Sequence, residues 1–320
     1  MDLLRIYKKI LIIRAVENKL DELFKRGLVH GTAHFCIGQE FIPVIISEYL
    51  TKEDSVTSTH RGHGHALAKN LDIKKFIAEL LGKSIGFNKG KGGSQHVSSK
   101  EDNFFANGIT GGMAPVAVGI AFANKYKNSM NITVNNNIAV AYLGDGSMTE
   151  GYVLESLNMA IVLKLPILFV CENNFYAMST HVNKTHSTEI YKKAEAFGMK
   201  AALVDDNDYQ KLNTIAEEFI TNTRKNIPHF IEVRTYRHKG HSKNDLNLYR
   251  DKQEEKYWFD RDAVLLIEKE LKNNNNNNYT EEQLKQIKEE IETEINKITE
   301  EVVNFQDTER TDLFEHVYHE

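Results

Sequence analysis

The residues best suited to chemistry lie in one stretch, GDGSMTEGYVLESLNMAIVLKLPILFVCENN, which begins at Gly144. The tripeptide Gly144-Asp145-Gly146 opens it, and the pair Asn173-Asn174 closes it. A carboxylate and an amide offer the oxygen ligands that Mg²⁺ accepts while it shares its other positions with phosphate oxygens and water. The glycines leave room for a bulky anion to approach backbone amides at a helix start. We therefore predict a magnesium and diphosphate site, in which either asparagine could be the second ligand.

The elements that must position these groups can be read from the segments around them. IAVAYL (138–143) and ILFVC (167–171) are continuous apolar runs, typical of parallel strands that are covered on both faces. The segment from about 151 to 163 then serves as the crossover helix of a βαβ unit. Both polar clusters consequently lie at the carboxyl ends of neighbouring strands, where open α/β sheets bind ligands. Each cluster alone would be an ordinary turn or strand end, and their shared edge favours the site.

The rest of the chain fits an α/β protein with helical ends. Apolar residues recur at helical spacing over residues 3–25, and HFIEVRTYR, from His229, is a further strand candidate. Two charged amphipathic segments flank an asparagine run, residues 273–278, for which we identify no chemistry. We expect a three-layer α/β/α fold with a mostly parallel sheet. Residues 1–260 would form the diphosphate-holding domain with its N-terminal helix, and residues 261–320 a C-terminal helical extension with an asparagine-rich loop.

Composition excludes several classes of function. With 320 residues, of which 41% are hydrophobic, the chain can bury a sizeable core. Lysine and arginine number 40 against 45 aspartates and glutamates, so the net charge of -5 gives no general reason to bind nucleic acid or a membrane. Two cysteines, Cys36 and Cys171, are too few for a disulfide framework and fit a reducing compartment. No apolar run has transmembrane length, and the N-terminal segment carries acidic residues and a long helical period, which suits a structural helix better than a targeting peptide, so we predict a cytoplasmic protein.

Sequence blocks along nearly the whole chain carry a family resemblance. The motif at Gly144, followed by Asn173-Asn174 after 26 intervening residues, resembles the cofactor motif of thiamine-diphosphate-dependent enzymes. Further blocks, in family order, are HFCIGQE (34–40), STHRGHGHALAK (58–69), NKGKGGSQH (88–96), NGITGGMAP (107–115), KLPILFVCENNFYAMST (164–180) and RTYRHKGHS (234–242). Together they are similar to the alpha subunit of the dehydrogenase component of 2-oxo acid (pyruvate) and acetoin dehydrogenase complexes.

The resemblance implies roles for individual residues. It implies magnesium ligands, namely Asp145, Asn174 and the backbone carbonyl of Tyr176. It implies a diphosphate site made by the Gly144-Asp145-Gly146 motif, the backbone amides of Gly146 and Ser147, and the cationic groups of Arg61, Arg237 and His241. Arginine suits this role because its fork binds phosphate bidentately, and a diphosphate carries more charge than one magnesium ion cancels. It also implies backbone contacts from Gly108 and Thr110 to the aminopyrimidine ring of the cofactor.

Histidines near the second block allow two interpretations. His60, His63 and His65 lie within six residues, and three histidines could bind zinc. No cysteine or carboxylate lies beside them, and a zinc cluster would leave the Gly144 motif unexplained. The resemblance instead implies that His63 faces the reacting centre and moves protons there, with His241 as the second catalytic candidate. We expect His65 to be a structural histidine.

The resemblance also implies a reaction and partners. With thiamine diphosphate and Mg²⁺, such a subunit cleaves acetoin or decarboxylates pyruvate, and the two-carbon unit passes to a lipoyl group. The glutamate that activates the cofactor comes from a beta subunit, so we expect an α2β2 assembly that works with a lipoyl-bearing acyltransferase. The run that begins at Thr59-His60 is similar to acetoin enzymes, whereas pyruvate enzymes more often carry Tyr-Arg there. Both substrates stay open, ahead of branched-chain 2-oxo acids.

Other classes of protein remain as alternatives. A transketolase-type enzyme also uses thiamine diphosphate, but this chain is short and has no second pyrimidine-binding domain. A catalytically silent thiamine-diphosphate-binding subunit would keep the motif without the reaction. A dinucleotide-dependent dehydrogenase is disfavoured because no Gly-x-Gly-x-x-Gly follows a strand with an acidic residue at the expected distance.

Overall fold

The computed structural model describes residues 1–29, 31–132, 136–273 and 279–315. Its helices are α1 (Leu3–Lys25), α2 (Phe41–Ser47), α3 (His63–Ala68), α4 (Ile73–Leu80), α5 (Met113–Ser129), α6 (Gly151–Val162), α7 (Ile190–Ala196), α8 (Tyr209–Thr223), α9 (Lys252–Phe259), α10 (Ala263–Asn273) and α11 (Glu281–Val303). Its strands are β1 (Ser55–Ser58), β2 (Ser98–Ser99), β3 (Phe104–Ala106), β4 (Ala139–Gly144), β5 (Ile167–Asn173), β6 (Tyr176–Ala177), β7 (Thr180–His181), β8 (Lys200–Val204) and β9 (His229–Arg234). Short 3₁₀ turns span Asp145–Thr149, Val182–Lys184 and Arg310–Phe314.

A seven-stranded sheet forms the centre of the protein, with strand order β2-β3-β1-β4-β5-β9-β8. Its pairs are parallel except for β2 with β3, which are antiparallel. Strands β4 and β5 lie side by side, and α6 is the helix between them along the chain. The predicted βαβ unit is therefore confirmed.

Alternate residues of the central strands enter two separate hydrophobic cores. Phe169 and Cys171 of β5 belong to the core that includes residues of α5, α6 and α7. Leu168 and Val170 of the same strand belong to the core that includes residues of α1, α2 and α8. Because successive side chains of a strand point to opposite faces, helices must cover both faces of the sheet. This explains the unbroken apolar runs and confirms the three-layer α/β/α fold.

Helices from both ends of the chain pack together beside one of these cores. Helix α1 contacts α10 and α11, and the Tyr7 hydroxyl donates to Glu268 at 2.7 Å. Arg14 donates to Asp262 at 3.0 Å. The division of the chain at residue 260 stays a prediction, and most of the asparagine run, residues 274–278, lies outside the described residues. No helix within the described ranges is long and apolar enough to span a membrane.

Candidate active site

The carboxyl ends of β4 and β5 open onto a cavity of about 420 Å³. Gly144 pairs with Glu172 in the register of these strands, the 3₁₀ turn Asp145–Thr149 follows β4, and Asn174 follows β5. Among the residues predicted for the site, those of the motif and its partners line the cavity: Gly144, Asp145, Gly146, Ser147, Asn174 and Tyr176. So do four predicted from other blocks: Arg61, Gly108, Thr110 and His241. The fold thus brings together segments that are up to 180 residues apart.

A second cavity, of about 660 Å³, lies elsewhere and is less suited to a diphosphate. Its lining includes four carboxylates, those of Asp205, Asp206, Asp208 and Glu270, against two lysines, Lys211 and Lys269, a balance that disfavours an anion. It contains none of the predicted site residues, whereas ten of them, Arg61 included, line the cavity at β4 and β5. We therefore take the smaller cavity as the candidate active site.

Asp145 has the properties of a carboxylate that binds a cation. It is only 3% exposed, and its buried Oδ2 atom has no hydrogen-bond partner among the residues that the structure describes. Burial raises the pKa of Asp145 to about 6, although its backbone N–H, Arg237 and Arg61 act in the opposite direction. A buried carboxylate with an unused oxygen is costly unless a positive charge reaches it. A bound divalent ion would supply that charge.

The two asparagines of the closing pair point to different surroundings. Asn173 donates to Glu232 at 2.7 Å and accepts from the backbone N–H of Phe175 at 3.0 Å, and it does not line the cavity. Asn174 lines the cavity, where its amide donates to Gln39 at 3.2 Å and its Oδ1 atom accepts from the Tyr176 N–H at 3.3 Å. Of the two, Asn174 is placed to face a ligand together with Asp145.

Two buried arginines, Arg61 and Arg237, lie at or close to the cavity. Arg61 donates to the carbonyls of Phe35 at 2.6 Å and His241 at 3.1 Å. Burial, and then the neighbouring Arg237, lower the pKa of Arg61 to about 10. Arg237 does not line the cavity. It donates to the carbonyl of Met178 at 2.6 Å, and Met178 does line the cavity. Arg237 is fully buried, and among the described residues its Nε and Nη1 atoms have no hydrogen-bond acceptor, although Nη1 lies 3.9 Å from Asp245 Oδ2. Two buried guanidinium groups at one cavity create a positive potential that favours an anion.

The loop after β9 holds His241 at the cavity by means of one carboxylate. Asp245 accepts from the His241 N–H at 2.7 Å, the Asn247 N–H at 3.0 Å and the Tyr249 hydroxyl at 2.6 Å. Burial would raise the pKa of Asp245, but these hydrogen bonds, that of Tyr249 foremost, lower it below its ordinary value. A Cβ at Gly240 would lie 2.3 Å from the Asp245 carbonyl oxygen, so the turn requires glycine there.

The glycine-rich segment after α4 wraps around a buried carboxylate. Glu79 is fully buried and accepts from the backbone N–H groups of Asn88 at 2.7 Å, Gly90 at 2.9 Å and Gly92 at 2.6 Å. Several hydrogen bonds to one carboxylate fix the path of the loop. The segment then leads into Gln95, which lines the cavity.

Comparison with known proteins identifies the family. The dehydrogenase E1 component family matches residues 8–309. The pyruvate dehydrogenase E1 component subunit alpha of Rickettsia felis is 34% identical over 319 residues, which cover 98% of this chain and 94% of the relative. The chain belongs to the dehydrogenase E1 component family. The resemblance inferred from the sequence blocks, to alpha subunits of thiamine-diphosphate-dependent 2-oxo acid dehydrogenases, is confirmed.

Two further relatives of this E1 chain carry similar names. The pyruvate dehydrogenase E1 component subunit alpha of Rhizobium meliloti is 37% identical over 294 residues, which cover 91% of this chain and 82% of the relative. The pyruvate dehydrogenase E1 component subunit alpha-3, chloroplastic, of Arabidopsis thaliana is 37% identical over 322 residues, covering 98% and 74% respectively. The similarity therefore extends over most of each relative.

His63 of the E1 chain is not where the sequence led us to expect it. It is fully buried and does not line the cavity. Its Nδ1 atom lies 2.5 Å from Glu17 Oε1, and its Nε2 atom lies 2.8 Å from Ser94 Oγ. The second oxygen of Glu17 accepts from the Cys36 N–H at 2.6 Å. Both ring nitrogens are thus occupied by protein groups, so the geometry corrects our expectation that His63 faces the reacting centre.

The zinc interpretation of the neighbouring histidines also fails on geometry. His63 and His65 are two residues apart at the start of α3, so their side chains diverge by roughly 200° around the helix axis. His65 is bonded to Ser58 at 2.7 Å and to Glu172 at 3.1 Å. His60 instead lines the cavity. The three rings therefore do not meet.

Sequence reasoning missed a polar bridge in the cavity of the E1 chain. Gln39 donates to Glu172 at 3.3 Å and accepts from the Asn174 amide at 3.2 Å. His65 donates to the other oxygen of Glu172, so the bridge fixes the orientation of the Asn174 amide. A signal was present, because Glu172 is a charged residue in a strand that is covered on both faces.

Gly146 offers a mutational test of the tight loop in the E1 chain. A Cβ at this position would lie 2.7 Å from the Cβ of Ala177, another cavity residue. Overpacking of this kind costs about 1–3 kcal/mol, and relief by loop movement would displace the turn after β4. We expect Gly146→Ala to weaken binding of thiamine diphosphate in the presence of Mg²⁺ about tenfold, since about 1.4 kcal/mol corresponds to that factor. Calorimetric titration would measure it.

Gly151 supplies the matched control for this substitution. It begins α6, and a Cβ there would meet no atom within 4 Å. Gly151→Ala should bind the cofactor like the parent chain. Equal affinities for the two variants would show that the close approach at Gly146 is unimportant.

Proposed function

We propose that this chain is the alpha subunit of a pyruvate dehydrogenase that uses thiamine diphosphate and Mg²⁺, and that it decarboxylates pyruvate and passes the two-carbon unit to a lipoyl group. The observation that carries the proposal is the Oδ2 atom of Asp145, which has no hydrogen-bond partner among the described residues. Asp145 follows the carboxyl end of β4, and both Asp145 and Asn174 line the cavity. The relatives named above as pyruvate dehydrogenase subunits support the substrate.

The residues of the cavity fit this cofactor in charge and in donor type. Asp145 and Asn174 would hold Mg²⁺ through hard oxygen atoms, together with the Tyr176 backbone carbonyl. Arg61 and Arg237 would balance the remaining negative charge of the diphosphate. Asp145 Oδ2 and Arg237 Nε and Nη1 are buried and have no hydrogen-bond partner among the described residues. They belong to groups of opposite charge, as a metal ion and a phosphate require. Gly146 and Ser147 would offer their backbone amides to the same group.

The chain's own work would be to bind and orient, since the thiazolium of bound thiamine diphosphate supplies the nucleophilic carbon and the electron sink. The Gln39 and Glu172 bridge would keep the Asn174 oxygen turned toward the metal. His241 lines the cavity and is the candidate for moving a proton near the substrate, since burial, and then Arg61, lower its pKa to about 4 and leave the ring neutral.

An exposed apolar face beside the cavity supports a beta subunit as partner. Phe122 and Tyr126 of α5 are one helical turn apart, stack on one another and are 47% and 53% exposed, and Val116 of the same helix is 44% exposed. Met178, which lines the cavity, is 64% exposed, and Ile109, which follows the cavity residue Gly108 in the chain, is 65% exposed. Exposed large apolar side chains of this kind are typical of a protein interface. We propose that the beta subunit covers this face, in an α2β2 assembly that delivers its product to a lipoyl-bearing acyltransferase.

Acetoin is the second candidate substrate because of one residue. The run from Thr59 resembles that of acetoin enzymes, and both Thr59 and His60 line the cavity. A histidine in place of a tyrosine changes the hydrogen-bonding groups that a substrate meets. The two buried free thiols, Cys36 and Cys171, agree with a reducing compartment for either reaction.

Reconstitution would test the proposed function. The chain would be coexpressed with the beta subunit from the same genome and assayed with pyruvate, acetoin and a branched-chain 2-oxo acid, each with lipoamide as acceptor. We expect turnover that needs both subunits, thiamine diphosphate and Mg²⁺, with pyruvate preferred. Preference for acetoin would move the assignment to the second candidate. Full turnover by the alpha chain alone, or none with any substrate despite bound cofactor, would refute the proposal.

A further inference from the structure

Three histidines from distant parts of the sequence meet at the cavity. His34 lies before α2, His60 follows β1, and His241 lies beyond β9, and all three line the cavity. Their ring centroids are 4.6 Å apart for His34 and His60, 4.8 Å for His34 and His241, and 5.5 Å for His60 and His241. One nitrogen atom from each ring lies within 4.8 Å of the others. No spacing motif in the sequence predicts this group.

The spacing of the nitrogen atoms is close to what one metal ion requires. An ion of the zinc type binds histidine nitrogen at about 2.0–2.1 Å in tetrahedral geometry, so its ligand atoms lie roughly 3.4 Å apart. The three nitrogens lie within 4.8 Å of one another, so a pair at that limit would have to approach by about 1.4 Å to ligate one ion. Three histidines also leave one position free for water or an anion from the cavity.

The charge state of the cluster suits a metal, and its surroundings select the fourth ligand. Burial, and then Arg61, lower the pKa of His34 to about 3 and that of His60 to about 2. The rings are therefore neutral at pH 7, the form that ligates a metal ion, and His34 would exchange the 3.3 Å contact between its Nδ1 atom and the Gln95 amide if it ligated through that atom. Arg61 and Arg237 repel a bare dication, so an anionic fourth ligand should accompany it. Glu172 and Asp145, which line the same cavity, partly offset the arginines.

We propose that His34, His60 and His241 form a site for a transition-metal dication such as Zn²⁺, Ni²⁺ or Co²⁺. Its nitrogen ligands distinguish it from the oxygen ligands at Asp145 and Asn174, which suit Mg²⁺. The Arg61 guanidinium is bonded to the carbonyl of His241, so an ion held by the cluster lies close to the group that receives the diphosphate. If the proposed cofactor role holds, the transition metal and thiamine diphosphate exclude one another from the cavity.

Titration of the full chain with Co²⁺ would test the site without any activity assay. The cofactor-free chain would be held in excess Mg²⁺, which saturates oxygen-ligand sites, and the visible ligand-field bands of Co²⁺ would be followed. We expect saturable binding of one ion, and tighter binding of Ni²⁺ than of Co²⁺. His60→Gln should weaken binding at least about tenfold, the lower end of what even supporting groups of metal ligands contribute.

The exposed His96 supplies the matched control. His96→Gln should bind Co²⁺ like the parent chain. If His60→Gln folds poorly, His34→Gln takes its place and should show the same loss of Co²⁺ binding. Absence of saturable bands, or equal binding by the His60 and His96 variants, would overturn the site. Thiamine diphosphate should displace Co²⁺, and simultaneous binding of both would overturn the exclusion. A chain that binds Co²⁺ but not thiamine diphosphate would refute the cofactor role and leave the metal site standing.

Discussion

Replacing Asp145 by asparagine is expected to abolish magnesium-dependent retention of thiamine diphosphate while the fold survives. The substitution keeps the shape of the side chain and removes the negative charge that would hold the ion. Since even outer partners of metal ligands cost 10–100-fold in affinity, loss of this ligand should weaken cofactor binding by at least about 100-fold. Calorimetric titration of thiamine diphosphate, with and without Mg²⁺, would measure both affinities.

The same variant should be more stable than the parent chain when no cofactor is bound. Burial raises the pKa of Asp145 to about 6 from its ordinary 3.8. A shift of about two pKa units corresponds to roughly 3 kcal/mol, an order-of-magnitude figure. Because the folded state binds the proton more tightly, this group contributes stability at low pH and loses it as pH rises from about 4 through 6.

The pH dependence therefore provides an internal control. The difference in unfolding free energy between Asp145→Asn and the parent chain should be largest above pH 7 and should vanish near pH 4, because other carboxylates cancel in the difference. Urea unfolding at several pH values would measure it. A variant that is equally stable at all pH values, or that keeps magnesium-dependent cofactor binding, would contradict the role given to Asp145.

Replacing His63 by alanine should act on stability and far less on the chemical step. The change breaks the buried contacts from His63 to Glu17 and Ser94 and leaves the Glu17 carboxylate with the hydrogen bond from the Cys36 N–H. Breaking a buried pair typically costs about 3–5 kcal/mol, so we expect a loss near the lower value. A general acid or base would instead contribute about 10²–10⁴-fold to the rate. We expect kcat to fall less than about tenfold, with its pH profile unchanged.

A double-mutant cycle would separate position from catalysis. Glu17→Gln and His63→Ala should be strongly non-additive in unfolding free energy, since both remove the same contact. His96→Ala, at an exposed histidine, should change neither stability nor kcat. If His63→Ala were stable but lost one limb of the pH profile of kcat, His63 would be a proton-transfer group, as the sequence had suggested.

The sequence predicted the frame of the site because that frame depends on local pattern. Continuous apolar runs before Asp145 and before Glu172 can be covered only by helices on both faces, so they fixed the βαβ unit and the edge where the motif lies. The register that sets Gly144 opposite Glu172 follows from that unit. Fold and motif were therefore within reach of pattern reasoning.

The directions of side chains and the contacts between residues distant in sequence could not be predicted from sequence pattern. Asn173 and Asn174 differ only in which way the chain turns after β5, and the hydrogen bonds that decide this come from Glu232 and Gln39. The His63 side chain is held by Glu17, 46 residues away, a contact that the resemblance, which implied that His63 faces the reacting centre, did not reveal. Such contacts depend on how whole elements pack, which spacing along the chain does not encode.

A crystal structure with Mn²⁺ in place of Mg²⁺ and saturating thiamine diphosphate tests the central claim most directly. Anomalous scattering locates the ion independently of any interpretation of the protein. We predict one ion at about 2.0–2.2 Å from oxygen atoms of Asp145, Asn174 and the Tyr176 carbonyl, with the diphosphate between it and Arg61. An ion held by other side chains, or a cofactor bound outside the cavity at the ends of β4 and β5, would contradict the account.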